Sequence, residues 1–339
     1  MLKIICYGAR SYEKPYFHEL NKYNFQLTLV EELLTSSNAE LAQHHDAVLL
    51  RGNCAANREN LTKFNKYGIQ YVFTRTVGIN HIDLDACSEF GMKVARVPSY
   101  SPNAIAELSL TLAMMLLRHT AYMTTKSSFK NFIVDEHTFS KEIHNCKVGI
   151  IGVGRIGLTE ARLFKGLGAS VIGYDVYQSD AAKAVVPFTT LDELLAESDI
   201  VSVHVPYLPG QNDQMINASF LAKMKKGAIL INTSRGELQD NQAILDALLS
   251  NHLEGFGTDV FPKEEELFFK AFDPWQMLPD PTIQKLMELY PRVLVTPHAG
   301  SNTVTALSNM IETSYENFHD IITTHSSDNL VPLPVLAMK

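Results

Sequence analysis

The most constraining feature of this sequence is a glycine turn that lies between an apolar segment and an amphipathic one. Residues 147–151 are mostly apolar and typical of a buried strand, and Gly152, Gly154 and Gly157 follow with the spacing G-x-G-x-x-G. Residues 158–164 then have the spacing of an amphipathic helix. This order predicts a strand, a tight turn and a helix whose N-terminal N–H groups can receive a pyrophosphate.

A second apolar segment, 170–174, strengthens this interpretation because it ends at an acidic residue. Asp175 lies eighteen residues after Gly157. A carboxylate at the end of the second strand accepts hydrogen bonds from the adenosine ribose hydroxyls and repels a 2′-phosphate. A glycine triplet alone is weak evidence, but strand, turn, helix, strand and acid in this order are specific. The sequence therefore predicts a dinucleotide site, for NAD rather than NADP.

Length and composition indicate a globular protein with about two domains. The chain has 339 residues, of which 46% are hydrophobic and 19% charged, so long disordered stretches are not expected. The net charge of −8 argues against a nucleic-acid or anionic-membrane partner. The most apolar helical segment, 105–117, is interrupted by polar residues, so we expect a buried helix rather than a membrane span.

The cysteines and the first residues bear on location. Cys6, Cys54, Cys87 and Cys146 are scattered without the spacing of a metal site. We therefore expect four free thiols, no bound metal and a reducing compartment. The chain starts directly with a strand-like pattern, so no signal peptide is expected. Together these features predict a cytoplasmic protein.

Strand-like and helix-like segments alternate in two blocks. The strand-like segments of the first block are 3–7, 25–30, 47–50, 71–74 and 93–97, and those that follow the glycine turn and residues 170–174 are 200–203, 228–232, 255–259 and 293–296. Strands joined by helices form parallel sheets that are covered on both faces. We therefore expect an α/β fold with two Rossmann-like domains, parallel sheets and an active-site cleft between the domains.

Two helices set the expected domain boundaries. Ser101 and Pro102 provide an N-cap and a first-turn proline for a helix that leads from the first block into the second. The residues after His298 have the spacing of another amphipathic helix, which would return to the first domain. We predict a discontinuous substrate domain of residues 1–101 and 300–339, and an NAD-binding domain of residues 102–299.

Three residues near predicted strand ends could reduce a keto acid together with a nicotinamide cofactor. Arg235, Glu264 and His298 follow three successive strand-like segments. A cation can hold the substrate carboxylate and polarise the carbonyl, an acid can protonate the alkoxide, and a carboxylate can keep that acid poised. Alone, each has a simpler explanation: a surface ion pair for the arginine, solvation for the glutamate and a structural role for the histidine. Their shared position favours one site.

With these motifs, the chain resembles the D-2-hydroxyacid dehydrogenase family almost from end to end. The matching elements are residues 100–107, the glycine turn 152–157, Ser234-Arg235-Gly236, Asp259 with Glu264 five residues later, and Thr296-Pro297-His298. The resemblance implies that His298 is the proton donor or acceptor, that Glu264 pairs with it, and that Arg235 binds the substrate carboxylate. A neighbouring carboxylate stabilises a protonated imidazole, which suits reduction near neutral pH.

The resemblance also implies roles for other positions. Asp259 would orient the nicotinamide amide, and the Val77-Gly78 turn would offer backbone N–H groups to the substrate carboxylate. The expected product has the R (D) configuration, and the expected assembly is a homodimer packed through the region of residues 102–119. The expected cofactor-binding residues are Gly152, Gly154, Arg155, Ile156, Gly157, Asp175, Val205, Pro206, Thr233, Ser234 and Asp259.

Two positions depart from the family pattern. Asn80 stands where relatives often have aspartate, and Gln239 stands where valine is common. Neither residue is expected to touch the chemistry.

Arg51 indicates which side chain the substrate carries. It follows segment 47–50, at a position where lactate-type relatives have an aromatic residue. Its guanidinium could bind a second carboxylate in a bidentate manner, as in the (R)-2-hydroxyglutarate dehydrogenases that the chain resembles here. We therefore expect NADH-dependent reduction of 2-oxoglutarate to (R)-2-hydroxyglutarate. The alternative is that Arg51 points into solvent or pairs with a neighbouring acid. The expected substrate-binding residues are Arg51, Asn53, Val77, Gly78 and Tyr100.

Other functions stay open from sequence alone. A D-lactate dehydrogenase, or a reductase of branched or aromatic 2-oxo acids, would use the same chemistry with a different side-chain pocket. An NAD-sensing, corepressor-like regulator would have the same fold without turnover, but the lack of added binding motifs favours an enzyme. The apolar segment 265–290 is either a flap near the cleft or an extension of the core.

Overall fold

The computed structural model describes residues 1–334, which form two compact units. One unit comprises Met1–Ser101 together with the residues from Asn302 onward, and the other comprises Pro102–Ser301. We call them unit 1 and unit 2. Each contains one sheet of parallel strands with helices on both faces.

The sheet of unit 1 has five parallel strands. They are β1 (Lys3–Tyr7), β2 (Gln26–Val30), β3 (Ala47–Leu50), β4 (Tyr71–Thr74) and β5 (Lys93–Ala95). Their order across the sheet is β2-β1-β3-β4-β5. The strand order reverses between β1 and β3, and ligands of doubly wound sheets bind outside the carboxyl ends of the strands at such a point.

Alternate residues of β1 and β3 lie in two separate cores, which explains why these two segments are almost entirely apolar. Ile5 and Val48 pack in the core on one face, while Ile4 and Leu49 pack in the core on the other. The first three helices of the unit are α1 (Lys14–Glu19), α2 (Arg58–Lys66) and α3 (Leu84–Glu89). Helices α2 and α3 begin after Asn57 and Asp83, whose side chains accept hydrogen bonds from the N–H groups three residues later.

The sheet of unit 2 has six parallel strands. They are β6 (Lys147–Ile151), β7 (Ser170–Tyr174), β8 (Ile200–Val203), β9 (Ala228–Asn232), β10 (Leu253–Thr258) and β11 (Val293–Val295). Their order is β11-β10-β9-β8-β6-β7, so the strand order reverses between β6 and β8. Again the two faces are buried: Leu230 packs in one core, and Ile229 and Ile231 pack in the other.

The helices of unit 2 cover both faces of this sheet. They are α4 (Pro102–Leu117), α5 (Thr120–Ser128), α6 (Arg155–Gly166), α7 (Asp180–Lys183), α8 (Leu191–Glu197), α9 (Ala218–Lys223), α10 (Asn241–Leu249) and α11 (Pro281–Glu288). Several begin at a side-chain cap. Thr190 and Glu193, for example, form a reciprocal capping box at the start of α8.

The final helix, α12 (Val304–Thr324), belongs to unit 1. Its buried face includes Tyr315 and Phe318, and the ring of Phe318 stacks on that of Phe73 in β4, with 4.4 Å between ring centroids. The chain therefore leaves unit 1 before α4 and returns to it just before α12.

The predicted α/β fold with two parallel sheets is confirmed, whereas the predicted cleft between the domains stays a prediction. All predicted strands are present; most have the predicted bounds, and the ends of the others differ by one or two residues. The fifth strand ends at Ala95 rather than at residue 97, because the Arg96 N–H donates to the Asn329 carbonyl instead of continuing the sheet. Among residues 1–334, none of the helices combines the length and the apolar character that crossing a membrane requires.

The segment 265–290 is only partly packed in the core, and its expected role as a flap near the cleft stays a prediction. Phe268 is buried against Phe261, so part of the segment extends the core. Trp275 is 93% exposed and Met277 66%, so the middle of the segment does not pack in the core of its unit.

Candidate active site

The sheet register of unit 2 brings the ends of three strands level with one another. Asn232 at the end of β9 lies beside Thr258 of β10, and Thr258 lies beside Val295 of β11. Arg235 and His298 each follow three residues after such a strand end. The three predicted catalytic segments therefore leave the sheet at the same carboxyl edge.

His298 and Glu264 form a direct pair, as the resemblance implied. The Nδ1 atom of His298 lies 2.6 Å from Oε1 of Glu264. The imidazole side chain is 38% exposed and the glutamate side chain 20% exposed. The pair is thus accessible to a small molecule while still partly shielded from water, and the bond at Nδ1 leaves Nε2 open to a ligand.

The backbone at His298 has a left-handed conformation, with φ of +50°. Such a conformation is uncommon for residues other than glycine, although histidine adopts it more readily than most. The N–H of His298 donates to the carbonyls of Asp259 and Thr296, at 3.0 Å each. These bonds hold the imidazole-bearing loop against the end of β10.

The carboxylate of Asp259 completes this attachment. Its oxygens accept hydrogen bonds from the Thr296 hydroxyl at 2.5 Å and from the N–H groups of Ala299 and Gly300 at 2.8 Å each. The residue is 2% exposed, and burial raises the pKa of its carboxyl above the usual value. Asp259 therefore organises the His298 loop, a role that the sequence did not indicate; its predicted contact with the nicotinamide stays a prediction.

Arg235 lies in an exposed turn after β9, and Nη1 of its side chain donates to the Ser234 carbonyl at 2.7 Å. Ser234 is half-buried, and Thr233 is buried with its hydroxyl 2.6 Å from that of Ser109 in α4. The turn thus presents a guanidinium at the surface of unit 2 while its first residues are tied to the interior.

The glycine turn has the geometry that the sequence predicts. Gly152 has φ of +88°, which favours glycine, and a Cβ atom on Gly157 would lie 2.1 Å from the Gly152 carbonyl oxygen, so only glycine fits there. Gly154 is the N-cap of α6, and no side chain caps the helix. Gly154 and Arg155 are exposed and Ile156 is half-buried. The free helix N-terminus is therefore open to an anion such as a pyrophosphate.

Asp175 links this turn to the end of β7. Its Oδ2 accepts from the Val153 N–H at 2.7 Å and its Oδ1 from the Tyr177 N–H at 2.9 Å. The carboxylate is partly exposed and lies beside the glycine turn, where a ribose would follow a bound pyrophosphate. These residues fit an NAD molecule.

Val205 and Pro206 follow β8, which with β6 flanks the point where the strand order of unit 2 reverses. Val205 is half-buried and Pro206 exposed. Just before them, the buried side chain of His204 lies 2.5 Å from the buried carboxylate of Glu160 in α6. The sequence analysis does not predict this pair; its only signal in the sequence is a glutamate in the amphipathic segment 158–164.

The predicted substrate residues all lie in unit 1, near the carboxyl ends of its strands. Arg51 directly follows β3 and is half-buried, and Asn53 is exposed with φ of +69°. Val77 and Gly78 are half-buried after β4, and their carbonyls accept hydrogen bonds from Arg96 and Thr76. The half-buried Tyr100 follows β5 at a greater distance, and its carbonyl accepts a hydrogen bond from Asn309.

No group of side chains within residues 1–334 has the composition and proximity of a metal site. The four cysteines are free and buried.

Comparison with known proteins identifies the class of enzyme. Residues 110–300 match the sequence model of the D-isomer specific 2-hydroxyacid dehydrogenase NAD-binding domain. This match covers more than half of the chain. The chain therefore belongs to the D-isomer specific 2-hydroxyacid dehydrogenase family.

Individual relatives match over nearly their whole length. A D-lactate dehydrogenase of Lactiplantibacillus plantarum is 37% identical, covering 97% of this chain and 99% of the relative. An aromatic 2-oxoacid reductase of Clostridium sporogenes is 36% identical, covering 94% of this chain and 96% of the relative. A solved structure described as the pyruvate reductase of Chlamydomonas reinhardtii is 36% identical with a TM-score of 0.89, covering 96% of this chain and 97% of that one.

These findings confirm three predictions from the sequence: the family, the NAD cofactor and the enzymatic nature of the protein. The chain is an NAD-dependent oxidoreductase that interconverts 2-oxo acids and D-2-hydroxy acids. The names of the relatives differ in the side chain of the acid on which they act.

Proposed function

We propose that this enzyme reduces 2-oxoglutarate to (R)-2-hydroxyglutarate with NADH. The observation that carries the proposal is the position of Arg51. It directly follows β3, where the strand order of unit 1 reverses between β1 and β3. Ligands of doubly wound sheets bind outside the carboxyl ends of strands at such a point. A guanidinium there suits a substrate with a second carboxylate.

The surroundings of Arg51 support an anionic ligand. Burial, together with the charges of Arg10 and Arg75, lowers the pKa of Arg51 to about 10, so the side chain is still a cation at neutral pH. Arg75 is 3% exposed and binds the buried Glu13, with 2.7 Å between Nη2 and Oε2. Three guanidinium groups thus share this region with one buried carboxylate, which favours binding of a further negative charge.

The other proposed roles belong to the carboxyl edge of unit 2 and to the Val77-Gly78 turn of unit 1. NADH, held by the glycine turn and Asp175, would supply the hydride for reduction of the substrate carbonyl. Nε2 of His298 donates a proton to the oxygen of that carbonyl, while Glu264 holds Nδ1 and stabilises the charged ring. Arg235 binds the 2-carboxylate and polarises the neighbouring carbonyl. Backbone N–H groups of the Val77-Gly78 turn bind the same carboxylate.

The test compares substrates and one arginine variant. NADH oxidation is followed at 340 nm with 2-oxoglutarate, pyruvate, 2-oxoisocaproate and phenylpyruvate. We expect the highest kcat/KM with 2-oxoglutarate. Arg51→Leu should lose about 2–4 kcal/mol of transition-state binding for 2-oxoglutarate, a fall of about 30- to 1000-fold, with little change for pyruvate.

Arg58→Leu is the matched control because Arg58 is half exposed in the same unit and pairs with Glu89 at the surface. It should leave every kcat/KM near the wild-type value. A wild-type 2-oxoglutarate value in the Arg51→Leu variant would show that Arg51 is not the distal carboxylate site.

A second candidate is supported by the names of the relatives. D-lactate dehydrogenase and aromatic 2-oxoacid reductase activities imply pyruvate or an aromatic 2-oxo acid as the substrate. The same substrate panel separates these activities from 2-oxoglutarate reduction. A preference for phenylpyruvate that persists in Arg51→Leu would favour the aromatic reductase.

We also propose a homodimer that packs through the region of α4. The segment that follows α5 in the same unit exposes large apolar side chains to an unusual degree, with Phe132 at 76%, Val134 at 84% and Phe139 at 88%. Exposed apolar surface of this kind is typical of an interface. Sedimentation equilibrium should give a mass of two chains, and a monomer at micromolar concentration would contradict the proposal.

The four free cysteines support the expected cytoplasmic location.

A further inference from the structure

We infer that Gln239 is a positioning residue for Arg235, acting through the amide of Asn232. The inference rests on the role proposed above for Arg235. In the sequence, Gln239 departs from the family pattern, which commonly has valine here, and it is not expected to touch the chemistry. The structure places its amide in a chain of hydrogen bonds that ends at the backbone of the arginine.

Both ends of the Gln239 amide form hydrogen bonds. Its Nε2 donates to Oδ1 of Asn241 at 2.9 Å and to the Val260 carbonyl at 3.4 Å. Its Oε1 accepts from Nδ2 of Asn232 at 2.7 Å. Because the Nε2 end is bound to acceptors, the oxygen has to face Asn232.

This arrangement determines which way the Asn232 amide is turned. Its Nδ2 donates to the Arg235 carbonyl at 3.0 Å, while its Oδ1 accepts from the Ser234 N–H at 3.1 Å and the Ser234 hydroxyl at 2.9 Å. A rotation of the amide by half a turn would oppose donor to donor at Ser234 and acceptor to acceptor at Arg235. The rotation would also turn Oδ1 of Asn232 toward Oε1 of Gln239, where two acceptors would face each other. Oε1 of Gln239 therefore opposes the rotation.

Because the hydrogen-bond network is buried, the loss of one of its partners should have a large effect. Asn232 and Gln239 are completely buried, so water cannot replace a lost partner. On its other side the turn is limited by Gly236, where a Cβ atom would lie 2.0 Å from the carbonyl carbon of Phe261. The backbone of Arg235 is therefore defined from two directions, by the amide chain and by close packing on the loop after β10.

The main test is Gln239→Met, which keeps the length and volume of the side chain but removes the amide. We expect kcat/KM for the preferred 2-oxo acid to fall about tenfold, mainly through a higher KM, because a displaced guanidinium binds the carboxylate less well. The dissociation constant of NADH, measured by fluorescence, should stay within about twofold.

A double-mutant cycle separates positioning from a general structural effect. If Gln239 acts through Arg235, then Gln239→Met should change kcat/KM by less than about twofold in an Arg235→Ala background. Leu248→Ala, a core truncation in the same unit, is the control for lost stability: it should lower Tm without raising the KM of the 2-oxo acid. If Gln239→Met does not fold, Asn241→Ala replaces it, with an expected fall of about threefold and the same cycle.

The outcomes distinguish the two proposals. If Arg235→Ala keeps wild-type kcat/KM, the proposed role of Arg235 fails, and the inference fails with it. If Arg235→Ala loses activity but Gln239→Met does not, only the inference is overturned. A tenfold loss that persists in the Arg235→Ala background, or that appears equally in NADH binding, also overturns it.

Discussion

The hydrogen bond between Glu264 and His298 allows a quantitative prediction. Glu264→Gln keeps the shape of the side chain and its oxygen acceptor but removes the negative charge beside Nδ1, which lies 2.6 Å from Oε1. Unit charges about 4 Å apart attract by about 1 kcal/mol in water and about 4 kcal/mol near a protein surface. The side chains of His298 and Glu264 are 38% and 20% exposed, so their environment lies between these two limits. We therefore expect the attraction between the carboxylate and a protonated imidazole to be about 2 kcal/mol. That energy corresponds to a fall of about 30-fold in kcat/KM.

The assay is steady-state NADH oxidation at saturating cofactor, together with NADH binding by fluorescence and thermal unfolding. NADH affinity and Tm should be nearly unchanged, since the variant removes charge and not volume. Glu265→Gln is the matched control: the neighbouring glutamate is exposed, and its variant should behave as wild type. Equal activities in the two variants would refute the assignment of Glu264 as the partner that stabilises the protonated ring.

Two further predictions concern the cofactor and stability. Asp175→Ala removes a carboxylate beside the glycine turn and should weaken NADH binding by about 10- to 100-fold while narrowing the preference for NADH over NADPH, as measured by the ratio of the two kcat/KM values. A preserved preference would argue against Asp175 as the ribose ligand. Burial alone would raise the pKa of Asp199. The hydrogen bonds from Lys141, the Lys147 N–H and Lys225 outweigh this effect and lower the pKa to about 2. Because this folded-state pKa lies below the usual 3.8, the Asp199 carboxylate makes its full contribution to the free energy of unfolding above pH 3.8. This contribution is lost as the pH falls towards 2. It amounts to about 1–2 kcal/mol, since the lysines are half exposed, so Asp199→Asn should flatten the decrease in unfolding free energy between pH 4 and 2.

The fold could be predicted because its signals are local. Strands such as β3 and β9 are buried on both faces, so all of their residues except Asn232 are apolar. The glycine turn could be predicted for a similar reason, because close packing at Gly157 and the left-handed backbone at Gly152 each require glycine. Such constraints act within a few residues of sequence.

Most contacts that support the site could not be predicted from the sequence pattern, because they join distant segments, and the pair of His298 and Glu264 is implied only by the family resemblance. Three glutamates follow Lys263, and the one that meets His298 depends on the left-handed backbone at Lys263, with φ of +55°. Likewise, nothing near Gln239 in the sequence indicates that its amide meets Asn232. The buried pair of His204 and Glu160 arises only when β8 and α6 pack together.

The attachment of the His298 loop to Asp259 has a mechanical consequence. The chain passes from unit 2 to unit 1 between Ser301 and Asn302, only three residues beyond the imidazole. Asp259 binds the N–H groups of Ala299 and Gly300, which lie between the imidazole and this crossover. Because both N–H groups are bound to a buried carboxylate of unit 2, a torsion of the chain at the crossover has to break these hydrogen bonds before it reaches His298.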